Sequence, residues 1–407
     1  MVRIIIYIST VLLFMGPSIL YSMNFSVEGQ ENNHLYPSFY LLVCGICYII
    51  VVRNIQLTKA PDKYIWLLLV FVVLFCLGFG VTRGIFYRPL LITSIALPAL
   101  YGLFFVNIGS TEMHGVQWLV LFMFIINCTF AIGERLFLHN VFPMSAIFKY
   151  MTFAQTNPEL FRSTALLGHP LNNALITAII MGFITISALK DIYKVGLLLL
   201  GFFALICFNA RGAILISGLF IAIFFIRQLF DRNKSQKSKI YSMAFLVACT
   251  VMFVFLLSNE FGGRFFEHTI KNDGSILLRL QAWHLIKKPP IESLLFGIDN
   301  VKDYTTNILG TFHIENWFVL SVLNIGIVPT MIFMIIYVPI FRFFLIPFTR
   351  FQTLFLLGIF IGIASTNNSL SSGTPAISVF FVCARTFSHE KSDRIYALVM
   401  KLKSIIR

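Results

Sequence analysis

Charged side chains are scarce in this chain of 407 residues: Asp, Glu, Lys and Arg make up 12% of it, whereas hydrophobic residues make up 58%. Soluble domains carry about 25% charged residues, so these charges are too few to cover a water-exposed surface. A disordered chain is excluded because it would be far less apolar. Secreted disulfide scaffolds, nucleic-acid-binding domains and soluble enzymes are excluded as well, and a polytopic integral membrane protein remains.

Motifs for nucleotide and metal chemistry are also missing. The sequence has no Walker loop, no HExxH, no Rossmann fingerprint and no Asp/Glu/His cluster with the spacing of metal ligands. The 7 cysteines lie in apolar runs, and the CxxC pair Cys44 and Cys47 is flanked by apolar residues. We therefore expect no cofactor, no metal and no disulfide framework, and we interpret the cysteines as small core residues.

The net charge of +14 has an explanation in membrane topology. Lys and Arg collect in the cytoplasmic loops of polytopic proteins, so this excess does not indicate a nucleic-acid partner. Basic residues cluster in the 53–63 loop, the 227–239 loop and the 388–407 tail. Counting spans puts all of these segments on one side, which predicts that both termini and the basic tail are cytoplasmic.

Charge-free apolar runs predict about twelve transmembrane helices, because a helix needs about 20 apolar residues to cross the hydrocarbon core. We place them at 3–23, 35–52, 64–82, 85–107, 116–133, 172–189, 192–209, 212–230, 240–258, 315–338, 351–366 and 371–387. A polar break from Ser365 to Ser369 separates the last two, and a re-entrant hairpin is the alternative there. Gly358 and Gly362 form a GxxxG that predicts helix packing.

The chain, 1–407, is thus predicted to be a single all-α membrane domain with a partly helical periplasmic cap. One part of the cap is the outer loop 134–171, with a short interfacial helix around residues 147–151. The other part is the long outer loop 259–314. In this loop Arg279 and Trp283 fall on one face of a helix that Lys287-Lys288-Pro289-Pro290 ends.

Several polar side chains lie at the predicted outer ends of the spans. Arg211 occupies the tight turn between two spans, where an Arg is costly unless it snorkels to lipid phosphates or binds an anion. Its guanidinium fork suits a phosphate or diphosphate at headgroup level. Arg162 precedes Gly168-His169-Pro170, where the helical pattern breaks and Asn172 can cap the next helix.

Glu315 is the last charge before the apolar stretch of the tenth predicted span. Two interpretations remain open for it. The helix dipole stabilises a carboxylate at a helix N-terminus, and a carboxylate near the outer surface can also serve as a general base. His313, two residues upstream, is the alternative base.

Four of these segments, taken in order, resemble the O-antigen ligase and O-antigen polymerase superfamily of bacterial membrane proteins. The matching segments are Arg162 with Gly168-His169-Pro170 and the Asn pair, Asn209-Ala210-Arg211-Gly212, Arg279 to Trp283 with a later Pro and Gly297, and Glu315-Asn316 with Gly326. The family has an Arg with Gly-Asn-Pro-Asn, a Ser-Arg-Gly at a span junction, an Arg-xxx-Trp, and a His-Asn pair followed by a Gly.

This resemblance implies a metal-independent, inverting glycosyltransferase in the bacterial inner membrane. Its partners would be an undecaprenyl-diphosphate-linked oligosaccharide, the lipid bilayer, a chain-length regulator and a flippase. By similarity, Arg211 and Arg279 would hold the diphosphate and Arg162 would shape the same pocket. The base would be Glu315 or His313, and the contacts to sugar or acceptor would come from His169, Asn172, His284 and Asn316.

The chain departs from the ligases of the family at two positions. Ligases usually have His where this chain has Glu315, and Pro329 stands where they have a further Gly. These departures favour polymerisation of O-antigen, capsule or exopolysaccharide repeat units over a ligase that transfers the glycan to lipid A-core or another acceptor. A flippase or transporter fits less well, because transporters place ionisable residues near the bilayer midplane.

Overall fold

The computed structural model describes residues 2–23, 36–53, 63–83, 90–106, 113–142, 161–258, 281–310, 314, 316–366, 369–371 and 373–388. These residues form helices, turns and loops without a strand, which confirms the all-α prediction for this part of the chain. The described helices long and apolar enough to cross a membrane are Lys63–Thr82, Gly115–Phe137, Arg211–Phe230 and Ile327–Leu345. Shorter apolar helices accompany them, and the number of twelve spans stays a prediction.

The helices follow the apolar runs of the sequence closely. In the first half they are α1 Val2–Leu12, α2 Pro17–Ser22, α3 Pro37–Arg53, α4 Lys63–Thr82, a π-helix Leu90–Ala96, α5 Leu97–Val106 and α6 Met113–Phe137. Four more follow, α7 Pro170–Ile186, α8 Asp191–Cys207, α9 Arg211–Phe230 and α10 Gln236–Ser258. The rest are α11 Ile291–Phe296, α12 Val301–Leu309, α13 Trp317–Ile325, α14 Ile327–Leu345, α15 Arg350–Ser365 and α16 Ala376–Ser388.

The first predicted span, 3–23, is wrong as a continuous helix. The backbone N–H of Gly16 donates a hydrogen bond to the carbonyl oxygen of Leu166 at 2.8 Å, between α1 and α2. A Cβ on Gly16 would lie 2.4 Å from the backbone of Leu167, so only glycine permits this approach. The helix breaks where Gly16 contacts a loop far away in sequence and where Pro17, which has no backbone N–H, begins α2.

The tenth predicted span, 315–338, is also interrupted and ends later than predicted. Gly326, with φ of +89°, separates α13 from α14, and α14 continues to Leu345. The predicted polar break after residue 364 is present, because α15 ends at Ser365 and α16 begins at Ala376. Outer loop 134–171 starts later than predicted, since α6 includes Glu134 and extends to Phe137.

α7 lies at the centre of the bundle. Every residue from Asn173 to Ile186 is buried, and α7 contacts α6, α8, α9 and α15.

The predicted GxxxG packing is confirmed, because Gly358 faces Phe220 and Gly362 faces Ile216 of α9. Cys44 and Cys47 are exposed on α3, so the prediction that all cysteines are core residues is wrong.

Loops that are distant in sequence meet at one end of the bundle, which we call the site end. It contains Gly16, the 161–169 loop, the α8–α9 junction and Thr366. The opposite end contains Arg227, whose guanidinium lies 4.1 Å from the ring centroid of Phe351. Arg211 and Arg227 of α9 therefore lie at opposite ends of the bundle.

Candidate functional site

Two of the arginines singled out in the sequence come together at the α8–α9 junction. The Nε of Arg162 donates a hydrogen bond to the carbonyl oxygen of Phe208 at 3.2 Å. The adjacent backbone N–H, of Ser163, donates to the carbonyl oxygen of Cys207 at 3.0 Å. Because Arg211 begins α9 directly after this turn, the structure brings Arg162 and Arg211 to the same junction, and both residues are half-buried.

The junction is tight because its backbone turns within a few residues. Asn209 adopts φ of +51°, a left-handed conformation that Asn tolerates better than most residues. A Cβ on Gly212 would lie 2.8 Å from Oγ1 of Thr366, so the polar break after α15 lies against the start of α9. The N-terminus of α9 adds the positive end of its dipole to the positive charge of Arg211.

A buried carboxylate that sequence reasoning did not assign to the site holds the loop that carries Arg162. Oε2 of Glu134 accepts hydrogen bonds from the backbone N–H groups of Thr164 and Ala165, at 2.6 and 2.9 Å. Its Oε1 accepts from the backbone N–H of Val141 at 2.7 Å. Glu134 is only 2% exposed. The sequence did offer one signal for this role, a carboxylate in the last turns of an apolar helix. It could not identify the partners of Glu134, because the fold brings them together from other segments.

Side chains on α6 and just beyond it hold the same loop at three further points. Nδ2 of Asn140, just beyond α6, donates to the carbonyl oxygen of Arg162 at 3.1 Å. A guanidinium nitrogen of Arg135 donates to the carbonyl oxygen of Phe161 at 3.1 Å, and Oδ1 of Asn127 accepts from the N–H of Leu166 at 3.3 Å. The backbone around Arg162 is therefore fixed by polar contacts rather than left to solvent.

Replacement of Glu134 by Ala should destabilise the protein by about 3–5 kcal/mol, because each buried N–H left without an acceptor costs about 1–3 kcal/mol. Thermal unfolding in detergent would measure the loss. Glu292→Ala is the matched control, since Glu292 is exposed on α11, and we expect it to change stability by less than about 0.5 kcal/mol. Equal melting temperatures for the two variants would contradict the assigned role of Glu134.

His169, rather than Asn172, caps the central helix. Nδ1 of His169 accepts a hydrogen bond from the backbone N–H of Leu171 at 3.3 Å, and Pro170 occupies the first helical position. Pro starts helices readily because its φ is already helical and it has no N–H to leave unpaired. Asn172 lies in the first turn, and its buried Oδ1 has no hydrogen-bond partner in the described part of the chain.

The candidate residues further along the chain belong to the segment at 281–325. Asn316 caps α13, because its Oδ1 accepts from the N–H of Val319 at 3.1 Å. His284 is exposed in a 3₁₀ turn, Trp283–Lys287, which replaces the α-helix predicted through Trp283. α13 contacts the Ser369–Ser371 turn, and that turn also contacts α7, so this segment is linked to the site end.

A small separate core holds together the segment at 281–325, which we call the cap segment. The core comprises Ala282, Leu285, Ile314, Val319 and Leu323. The hydroxyl of Tyr304 donates to the carbonyl oxygen of Leu285 at 2.9 Å. Partial burial raises the pKa of Tyr304, so this phenol keeps the proton that it donates.

Two glycines that the family resemblance picked out lie against each other. Gly297 and Gly326 both have positive φ, and the N–H of Ile298 donates to the carbonyl oxygen of Leu323 at 2.8 Å. Arg83, at the end of α4, donates to the carbonyl oxygen of Gly297 at 3.2 Å and lies 3.6 Å from the carboxylate of Asp299. Arg83 was not predicted, and it fastens the cap segment to the bundle.

Three of the predicted site residues, Arg279, His313 and Glu315, lie outside the described residues, as do the predicted interfacial helix at 147–151 and the tail beyond residue 388. Among the residues that the structure describes, no group of His, Cys, Asp and Glu is arranged to hold a metal ion. No protein-family model matches the chain, and no curated protein matches it.

Proposed function

We propose that this protein is a membrane glycosyltransferase that polymerises oligosaccharide repeat units carried on polyprenyl diphosphate at the outer face of the membrane. The observation that supports it best is the meeting of Arg162 and Arg211 at the α8–α9 junction. Guanidinium groups bind phosphate oxygens through paired N–H donors, and the N-terminus of α9 adds favourable potential for an anion.

The proposed reaction exchanges one bond at the anomeric carbon for another. The bond from this carbon to the diphosphate oxygen breaks, and negative charge develops on the leaving diphosphate. Fixed positive groups that are already oriented stabilise such charge more than water does. The Nε of Arg162 donates to the carbonyl oxygen of Phe208, and Glu134 holds the loop that carries Arg162 through the backbone N–H of Thr164, so the position of Arg162 is set before substrate binds.

The acceptor hydroxyl attacks the anomeric carbon from the face opposite the diphosphate, which inverts the configuration. Its proton passes to a base, which we assign to Glu315 or His313 on the family resemblance. Asn172, whose buried Oδ1 has no hydrogen-bond partner in the described part of the chain, offers an acceptor for a sugar hydroxyl at the start of α7, and we assign His169 beside it to the same role on the family resemblance. No metal is required for these steps.

The test is product length. The purified full-length protein in nanodiscs is incubated with undecaprenyl-diphosphate-linked oligosaccharide from its own host, and the released glycans are separated on a gel. We expect a ladder that rises by one repeat unit. Folded protein that gives no ladder would overturn the polymerase assignment. Lipid A-core added to the same reaction then tests for a ligase, which would attach the glycan without lengthening it.

A further inference from the structure

A second candidate ligand site lies away from the arginine pair. An apolar groove of about 830 Å³ runs between α14 and α15. It exists because the two helices pack elsewhere: α14 contacts α4, whereas α15 contacts α7 and α9. Phe341 of α14 and Phe360 of α15 line it, and the ring centroid of Phe380 on α16 lies 5.1 Å from the centroid of each of these two rings.

One mouth of this groove is strongly basic. Arg342 on α14 and Arg350 at the start of α15 both line it and are exposed. Neither guanidinium forms an ion pair or hydrogen bond within the part of the chain that the structure describes. Arg227 lies nearby over Phe351, and no Asp or Glu is among the described residues that line the groove. Among the described residues, the mouth therefore combines positive charge that has no acidic partner with a long apolar wall.

The basic mouth lies at the end opposite the proposed glycosyl-transfer site. Arg227 ends the helix that Arg211 begins, and Phe351 beside it follows Arg350 directly. A donor whose diphosphate binds Arg162 and Arg211 would therefore present no anion to Arg342 and Arg350. The charge rule predicts that this end faces the cytoplasm, where membrane surfaces carry anionic lipid.

We infer that this groove binds an anionic phospholipid of the cytoplasmic leaflet, with the phosphate at Arg342 and Arg350 and the acyl chains along α14 and α15. The lining of the groove along α14 runs from Ile346, just after the helix, back to Thr330, a rise of about 24 Å. The apolar wall is therefore longer than one leaflet, which is half of a hydrocarbon core of about 30 Å, and can accommodate the acyl chains along its length. The hydroxyl of Thr353 lies on the same wall near Arg350 and supplies a further donor. A soluble anion would leave the apolar wall uncovered, and a neutral lipid would leave the charge unbalanced.

The inference rests on membrane insertion but not on glycosyl transfer, and lipid binding tests it directly. Delipidated full-length protein in neutral detergent is titrated with dioleoylphosphatidylglycerol or dioleoylphosphatidylcholine, and bound lipid is counted by native mass spectrometry. We expect phosphatidylglycerol to bind more tightly. The double variant Arg342→Gln with Arg350→Gln should bind it roughly thirtyfold more weakly, since each basic group near anionic lipid contributes about fivefold.

A matched double variant separates the groove from general surface charge. Arg232→Gln with Lys234→Gln removes two exposed charges from the turn after α9, at the same end of the bundle, and should leave binding within about twofold. Thr353→Phe fills the groove without changing charge and should also weaken binding. Melting temperatures in phosphatidylcholine micelles confirm that each variant is folded.

Three results would overturn the inference. One is equal affinity for the two lipids in the unmodified protein, and another is an equal loss of binding in the two double variants. The third is binding of undecaprenyl phosphate to the groove that phosphatidylglycerol cannot displace, because the occupant would then be the prenyl chain. A failed glycan ladder with intact phosphatidylglycerol binding would overturn the proposed function alone.

Discussion

Replacing Arg211 with Ala is expected to lower the rate of chain elongation about 10²–10³-fold while the protein remains folded. Removing one preorganised donor from a developing oxyanion has a cost of this size in enzymes. Arg211 opens α9 and is half-buried, so water replaces its contribution only in part. Initial rates of ladder formation, with melting temperature measured in parallel, check the result.

Conservative variants distinguish charge from geometry at this position. Arg211→Lys keeps the charge but loses the paired donors, so we expect its rate of chain elongation to lie between those of the wild type and Arg211→Ala. Arg162→Lys should additionally lose the Nε contact to the Phe208 carbonyl oxygen. Arg232→Ala, at the opposite end, is the control and should retain full activity. An Arg211→Ala protein with activity within threefold of wild type would exclude Arg211 as a diphosphate ligand.

Replacing Gly326 with Ala is expected to detach the cap segment from the bundle. A Cβ at Gly326 would lie 2.1 Å from the carbonyl oxygen of Leu295, and its backbone at φ of +89° and ψ of 162° suits glycine alone. Backbone strain costs about 1–3 kcal/mol, and overpacking against a neighbour that cannot rotate away adds about 1–3 kcal/mol. Hydrogen exchange of residues 281–310 should therefore accelerate strongly.

Gly310 provides the matched control for this experiment. It also has positive φ, +69°, but a Cβ there meets nothing within 4 Å. Gly310→Ala should thus lower the free energy of unfolding only by the left-handed strain of about 1 kcal/mol. Hydrogen exchange of the backbone from α11 to α13 should be nearly unchanged. If the two variants behaved alike, strain rather than the contact between Gly326 and Leu295 would govern docking of the cap.

Sequence reasoning located helices well and interruptions poorly. Apolar runs bounded by charges predict α4 as 64–82 and α9 as 212–230, each within one residue of the observed bounds. The break at Gly326 could not be predicted, because it is caused by a contact with a backbone segment that is remote in sequence. The break at Gly16 did have a local signal, which the prediction did not use, because Gly16-Pro17 is a turn-forming pair and Pro17 begins α2. A glycine in an apolar run does not indicate by itself whether another segment approaches it.

The candidate site likewise contains residues that the sequence indicates and residues that only the structure identifies. Arg162 and Arg211 are recognisable in sequence because arginine near a membrane surface needs an anion or water. Glu134 and Arg83 carry equally strong local signals, but their partners lie on distant segments. The partners of Glu134 include the backbone N–H of Thr164, and those of Arg83 are the carbonyl oxygen of Gly297 and the carboxylate of Asp299. The residue types in a sequence do not indicate which backbone group a side chain will bind. The positioning roles of Glu134 and Arg83 can therefore be recognised only in the folded structure.

The hydrogen bond between Gly16 and Leu166 also has a consequence for biosynthesis. The two residues are 150 positions apart (166 − 16), and translation at about 5–20 residues per second separates their synthesis by roughly 10–30 s. During that interval the turn between α1 and α2 lacks the partner that shapes it. The N-terminal helices are therefore inserted before the hydrogen bond between Gly16 and Leu166 can form. They reach their final structure only after the 161–169 loop has left the ribosome.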